Sequence, residues 1–164
     1  MTVDDLPSSL SPFAFLLGEW EGEGVGGAPG VDDFAFSQDL SFVRTAEATL
    51  GYTSRVTSIE TGAHVASEAG YWRALDGNRV ELVVSHSAGF VEVAYGTIAF
   101  TRIETASDLV ARTAAGDVVA TVRRLYGMVG EELMYAVDMA AEGLAPTPRF
   151  SGRLRRTDGQ ARTK

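Results

Sequence analysis

The chemistry open to this 164-residue chain is limited first by its histidines, of which there are two, His64 and His86. A neutral imidazole is the commonest protein ligand for a metal ion, so both are candidate ligands. His64 stands at the start of a predicted strand and His86 in a tight connection. An isolated histidine in such a place is usually a solvated polar residue, and we therefore expect neither to bind a metal.

Other catalytic groups are scarce. The chain has no cysteine, which excludes disulfides, thiolate catalysis and iron–sulfur clusters. It carries no nucleophile elbow, no phosphate-binding loop and no paired-histidine metal spacing. Three acidic residues, Glu19, Glu21 and Glu23, recur at every second position, but such alternation is typical of a solvated strand face. We expect no catalytic residue, and therefore not an enzyme.

The composition limits the classes of partner that the protein is expected to bind. A formal charge of −8 and a pI near 4.7 disfavour nucleic acid, whose phosphates attract an excess of lysine and arginine. The N-terminus has no secretory signal and no apolar run long enough for a membrane span, which predicts a cytoplasmic protein without a membrane partner. The length predicts one domain over residues 1–164 and leaves the oligomeric state open.

The stretch expected to organise the fold is Gly18-Glu19-Trp20-Glu21-Gly22-Glu23-Gly24. At a strand period of two, Gly18, Trp20, Gly22 and Gly24 share the inner face. Repeated glycine in a strand permits a bend or the close approach of another backbone, which favours the first strand of a small closed barrel. Trp20 is then expected to fill the barrel floor.

The remaining chain reads as nine short strands rich in aromatic and β-branched residues. They are predicted at 33–42, 48–56, 63–75, 79–85, 89–101, 108–113, 118–126, 132–139 and 149–156. A short helix is predicted at 12–17 and a mobile loop at 26–30. The fold class is therefore all-β, an up-and-down antiparallel barrel of about ten strands, with a sandwich as the alternative. Such an interior can hold one small ligand.

The G-x-W-x-G-x-G motif resembles the signature of the nitrobindin family, small barrels that bind ferric haem. Further matches are Ser67-Glu68-Ala69-Gly70-Tyr71, Gly89-Phe90-Val91-Glu92-Val93 and Arg124-Leu125-Tyr126. By this resemblance, the family's proximal histidine falls on Arg149 and a distal histidine on Ala66. A guanidinium has no lone pair for iron. We therefore expect a nitrobindin-like barrel that lacks the haem-ligating histidine, with no haem, no other cofactor and no metal.

The leading functional hypothesis is then a barrel that binds a small apolar or amphipathic molecule. Its candidate pocket residues are Phe34, Phe36, Tyr52, Arg124, Tyr126 and Arg149. Arg149 would recognise a ligand carboxylate if it points inward. Strict alternation turns it outward, unless the neighbouring prolines bend the strand. Two alternatives stay open: a haem-binding nitrobindin with altered ligation, active in nitric oxide binding or peroxynitrite isomerisation, and a structural barrel without a ligand.

Overall fold

The structure is a computed structural model that describes residues 6–157. Ten antiparallel strands form a closed barrel in which each strand pairs with its neighbours in sequence and β1 pairs with β10. The strands are β1 Gly18–Ala28, β2 Val31–Ala46, β3 Thr49–Ser58, β4 His64–Leu75, β5 Arg79–His86, β6 Phe90–Ala99, β7 Arg102–Arg112, β8 Thr121–Val129, β9 Glu132–Ala140 and β10 Thr147–Arg156. The predicted fold class is confirmed. The single domain over residues 1–164 stays a prediction.

One end of the barrel is closed by the segment before β1. A 3-10 helix at Ser8–Phe13, earlier in the chain than the predicted helix, buries Phe13 completely. Trp20 lies against this segment, is 2% exposed, and donates a hydrogen bond from Nε1 to the Leu16 carbonyl oxygen at 2.7 Å. Arg156, the residue of β10 that pairs with Trp20, places its guanidinium over the Trp20 ring, 4.4 Å from the ring centroid. We call this end the floor.

Glycine on β1 is required by the closeness of its neighbours. A Cβ atom on Gly22 would lie 2.1 Å from the Arg153 carbonyl oxygen of β10. At Gly24 it would lie 2.1 Å from the Ser151 carbonyl oxygen and 2.5 Å from a Phe36 ring carbon. No side chain fits at such distances, so these glycines allow β1 and β10 to meet and close the barrel.

The lower half of the interior is solid. Ring centroids of Phe42, Tyr52 and Tyr126 lie 5.0 to 5.6 Å from that of Trp72. A cavity lies near the opposite end of the barrel, which we call the mouth. In the part of the chain that the structure describes, no helix has the length and apolar character needed to cross a membrane. The cytoplasmic location stays a prediction.

Several local predictions are wrong. The strand predicted at 108–113 is the end of β7, which begins at Arg102. The predicted loop at 26–30 is mostly strand, because β1 runs to Ala28 before the turn. The predicted strand 89–101 ends at Ala99, and Phe100 occupies a tight corner with a φ of 56° and 99% exposure. Phe100 therefore does not line the interior. The strand predicted from 118 begins at Thr121, since the preceding residues form a loop at the mouth.

Candidate functional site

The mouth contains a cavity of about 170 Å³. Most of its wall is apolar, and the rest is polar or charged. We call it the mouth cavity; it is lined by Gly27, Ala28, Val31, Phe34, Val65, Ala66, Ser67, Glu68, His86, Ser87, Ala88, Phe90, Asp117, Val119, Met139, Arg149 and Phe150. Apolar walls with a few convergent polar groups are typical of a small-molecule site.

A second depression of about 510 Å³ adjoins the mouth cavity on the outside, and we call it the rim groove. The two share Asp117, Val119, Met139 and Arg149 as walls. The rim groove is bounded by the 141–147 loop, where Leu144 is 68% exposed. A ligand larger than the mouth cavity can therefore extend into the groove past Val119 and Met139.

Beneath the mouth cavity, four charged or titratable side chains from four strands form what we call the ion cluster: Glu68 of β4, His86 of β5, Glu92 of β6 and Arg124 of β8. Arg124 donates from Nη1 to Glu68 Oε2 at 2.9 Å and from Nη2 to Glu68 Oε1 at 3.2 Å. It also donates to Glu92, from Nε to Oε1 at 2.8 Å and from Nη2 to the same oxygen. One guanidinium thus joins two carboxylates inside the barrel.

The cluster shifts the titration of its members. Burial raises the pKa of Glu68, but the charges of Arg124 and His86 and hydrogen bonds from Arg124 and Tyr52 lower it to about 2. Burial lowers the pKa of Arg124, but Glu68 and Glu92 raise it well above its usual range. Tyr52 donates to Glu68 Oε2 at 2.6 Å, and burial followed by the Glu68 charge raises the pKa of Tyr52. Glu68 and Arg124 are therefore charged at neutral pH.

His86 was expected to be solvated, and this expectation is wrong. It ends β5 with its side chain only 5% exposed, and its ring is stacked on Phe90 with centroids 4.0 Å apart and planes at 16°. Its Nδ1 lies 3.3 Å from Glu68 Oε1, while its Nε2 lies 3.4 Å from Glu92 Oε1 and from Arg124 Nη2. His86 is the last residue of β5 and its side chain faces inward. The sequence prediction assigned it to the connection after β5, where a side chain would be exposed.

The other candidate ligand positions differ from His86. His64 is exposed at the start of β4, where its Nε2 lies 2.7 Å from Ser67 Oγ. Ala66 is half-buried and lines the mouth cavity. Arg149 also lines the mouth cavity, because the register between β9 and β10 shifts between Pro148 and Phe150 and leaves Arg149 without a paired residue. Its inward position depends on this β-bulge.

The predicted pocket residues lie at two depths. Phe34 lines the mouth cavity, whereas Phe36 is fully buried between Phe34 and Phe150. Tyr52, Arg124 and Tyr126 lie deeper, around a void of about 10 Å³ that also touches Glu68 and Gln38. A space of that size holds at most one water molecule. Of the predicted set, Phe34 and Arg149 therefore border the mouth cavity, as Ala66 does.

Comparison with known proteins identifies the family. The family described as "THAP4-like, heme-binding beta-barrel domain" matches residues 9–156, nearly the whole described chain. The chain belongs to this family. Its similarity to the nitrobindins is confirmed by a curated "Ferric nitrobindin-like protein" of Thermobifida fusca, 36% identical over 94% of this chain and 97% of that protein. A "Peroxynitrite isomerase" of Frankia casuarinae is 40% identical over 93% of this chain and 87% of that protein.

A solved structure has the same architecture. The crystal structure of Rv2717c from M. tuberculosis superposes with a TM-score of 0.84 at 28% identity, covering 94% of this chain and all of that one. The family membership of this barrel therefore rests on both sequence and fold.

These findings correct two expectations. The leading hypothesis, a barrel that binds an apolar or amphipathic molecule and not haem, is contradicted. The family is described as haem-binding, and several relatives are named peroxynitrite isomerases. The expected absence of haem as a cofactor is contradicted on the same ground. We also expected that the protein is not an enzyme, and the names of the relatives, which are those of isomerases, do not support this expectation. Arg149 has no imidazole, but His86 lies on the wall of the same cavity.

The side chains at the mouth fit a haem. His86 and Met139 line the mouth cavity, and imidazole and thioether are both known ligand types for haem iron. The Nδ1 of His86 faces the Glu68 carboxylate, which is the usual partner of a metal-ligating imidazole. Phe34 and Phe150 supply apolar surface for a macrocycle. The donor set and the apolar walls therefore suit the group that the family is described as binding.

Proposed function

We propose that this chain binds one haem at the mouth of its barrel and that His86 is the iron ligand. The observation that carries the proposal is the position of His86, a buried imidazole on the mouth cavity wall with a carboxylate beside its Nδ1. Arg149, at the position matched to the family's histidine, supplies no lone pair. Ligation through His86 is the altered ligation that the sequence left open as an alternative.

The ion cluster would position this imidazole. Glu68, ionised and tied to Arg124, lies 3.3 Å from Nδ1, where its charge favours a proton on that nitrogen and so the tautomer that leaves Nε2 as the acceptor. Nε2 has only weak contacts at 3.4 Å with Arg124 Nη2 and Glu92 Oε1. Stacking on Phe90 holds the ring plane. Because Glu92 and Arg124 lie beneath the mouth cavity, ligation of a haem iron through Nε2 requires the imidazole ring to turn from these two side chains toward the cavity.

The activity proposed for the loaded barrel is the isomerisation of peroxynitrite to nitrate. Ferric haem, when bound, supplies a Lewis-acidic iron for the peroxynitrite anion. The rearrangement moves one oxygen within a single molecule, so it consumes no external oxidant or reductant. Two features of this chain support it: an acid-paired imidazole to hold the iron, and the phenyl walls of Phe34, Phe90 and Phe150 to restrict water. The names of the relatives support the same activity.

Filling the mouth cavity tests the location of the site. Ala66→Phe should block hemin binding, because the new ring would enter a space of only about 170 Å³ without removing a donor atom. Ala69→Phe is the matched control, since Ala69 is exposed on the same strand. Hemin binding, measured by absorbance titration, and the catalysed rate of peroxynitrite decay to nitrate above the uncatalysed rate should be lost together in Ala66→Phe and kept in Ala69→Phe. Equal hemin binding by both variants would place the site elsewhere.

A further inference from the structure

Arg149 reaches the mouth because of a backbone irregularity. Pro148 pairs with Asp138 and Phe150 pairs with Val137, so Arg149 is the extra residue of β10. A bulge breaks the alternation of side chains, and here Arg149 and Phe150 are both half-buried and both line the mouth cavity. The bulge therefore adds a cation to a wall whose other charged residues include Glu68 and Asp117.

The guanidinium of Arg149 has no protein partner. Among residues 6–157, no hydrogen bond or ion pair connects it to another side chain or carbonyl group. Other inward or half-buried arginines differ. Arg124 is held by two carboxylates, and Arg156 donates to the carbonyl oxygens of Phe15 and Leu17. A half-buried cation that lacks an internal partner is well placed for an external anion.

The position of Arg149 indicates where an external anion would bind. It is one of the residues common to the mouth cavity and the rim groove, so it stands at the boundary between the enclosed space and the open one. The other residues common to the two spaces are the apolar Val119 and Met139 and the acidic Asp117, so Arg149 is the only cation among these shared residues. The ligand that suits this arrangement is a large apolar body with a carboxylate on its outer edge.

We propose that Arg149 binds a propionate carboxylate of haem, an inference that rests on the proposed function. Arginine forms two parallel hydrogen bonds with a carboxylate, and such charge-assisted bonds are stronger than neutral ones. At the boundary of the two cavities this pairing orients the macrocycle with its carboxylate edge toward the rim groove. Arg149 is thus a specificity residue for the porphyrin's acidic edge and leaves iron ligation to another side chain.

Protoporphyrin IX and its dimethyl ester provide the test, because they differ only in the two carboxylates and carry no iron. Binding is measured by quenching of tryptophan fluorescence. The wild-type protein should bind the free acid at least about tenfold more tightly than the ester, as expected for a charge-assisted hydrogen bond. Arg149→Met should remove that preference, and Arg149→Lys should keep part of it. Arg123→Met, an exposed arginine of β8 away from the mouth cavity, is the matched control.

The outcomes separate this inference from the proposed function. Equal affinity of the wild-type protein for acid and ester would overturn the role of Arg149, even if hemin binds through His86. A preference for the acid that Arg149→Met abolishes would support it, even if hemin shows no histidine ligation. A preference that survives in Arg149→Met would assign the carboxylate to another residue and contradict the inference.

Discussion

Inside the barrel, Arg124 Nη1 lies 2.9 Å from Glu68 Oε2 and Arg124 Nη2 lies 3.2 Å from Glu68 Oε1, so the two side chains form a two-point ion pair. The Glu68 side chain is 11% exposed and that of Arg124 only 1%. Removal of water from such a pair is costly, and its attraction offsets this cost only when the geometry is good and other hydrogen bonds are satisfied. The stability of the barrel therefore depends in part on the geometry of the ion cluster beneath the mouth cavity.

The depressed pKa of Glu68 predicts acid sensitivity. Its pKa falls from 4.5 to about 2 on folding, so its contribution is fully present above pH 4.5 and is lost as the pH falls toward 2. The contribution is about 3 kcal/mol at most, at 1.36 kcal/mol per pKa unit. Denaturant melts of the wild-type protein should show a decline across this window, and Glu68→Gln should show a weaker one. Parallel stability curves for the two proteins would contradict the prediction.

Arg124→Met should be one of the most destabilising changes in the chain. It leaves the Glu68 and Glu92 carboxylates close together without a guanidinium, which costs about 3–5 kcal/mol for a broken buried pair. The control is Arg73→Met, because Arg73 pairs with Glu81 on the surface with its side chain 57% exposed. That loss should stay below about 1 kcal/mol. Similar losses in urea melts would show that the ion cluster contributes little to stability.

Gly22→Ala tests the closure of the barrel. The added Cβ would lie 2.1 Å from the Arg153 carbonyl oxygen, so β1 and β10 must separate. We expect a loss of more than about 2 kcal/mol, in the upper range of single substitutions. Gly127→Ala is the matched control on β8, where the nearest atom would be 3.7 Å away. Equal thermal stability of the two variants would remove close approach as the reason for glycine at position 22.

Substitutions of Trp20 test how much this side chain stabilises the floor of the barrel. Trp20→Ala should cost about 3–5 kcal/mol, the range for deleting a large buried aromatic side chain. Trp20→Phe keeps much of the apolar area but loses the hydrogen bond to the Leu16 carbonyl, leaving that oxygen without its buried donor. It should therefore cost less than Trp20→Ala but remain measurable in denaturant. A loss below about 1 kcal/mol for Trp20→Ala would contradict the role of this side chain in the floor.

The fold could be predicted because its signals are local. The alternation along β1 predicted that Trp20 faces inward and Glu19 outward, and in the structure Trp20 is buried and Glu19 is exposed. Corners are harder to predict, since an apolar residue such as Phe100 continues a strand pattern even where the backbone turns. Its side chain contributes nothing to the core, and only the pairing of β6 with β7 shows where the strand ends.

The site could be predicted only in part. Arg124 and Glu68 were visible in motifs, but their pairing joins residues 56 positions apart and depends on closure of the barrel. His86 carries no local signal, because a histidine next to a turn has the same pattern whether its ring points in or out. Arg149 lies on the last strand, as predicted, yet its direction depends on a bulge that alternation does not reveal.

The most direct test of the proposed function is a hemin titration of the wild-type protein, His86→Ala and His64→Ala, with the ligation read from the absorbance spectrum. His64 is exposed, and its ring does not line the mouth cavity, so its removal is the matched control. The wild-type protein and His64→Ala should bind one equivalent of ferric haem with a histidine-ligated spectrum, and His86→Ala should lose that spectrum. Retention of a histidine-ligated spectrum in His86→Ala, or its absence from the wild-type protein, would contradict ligation by His86.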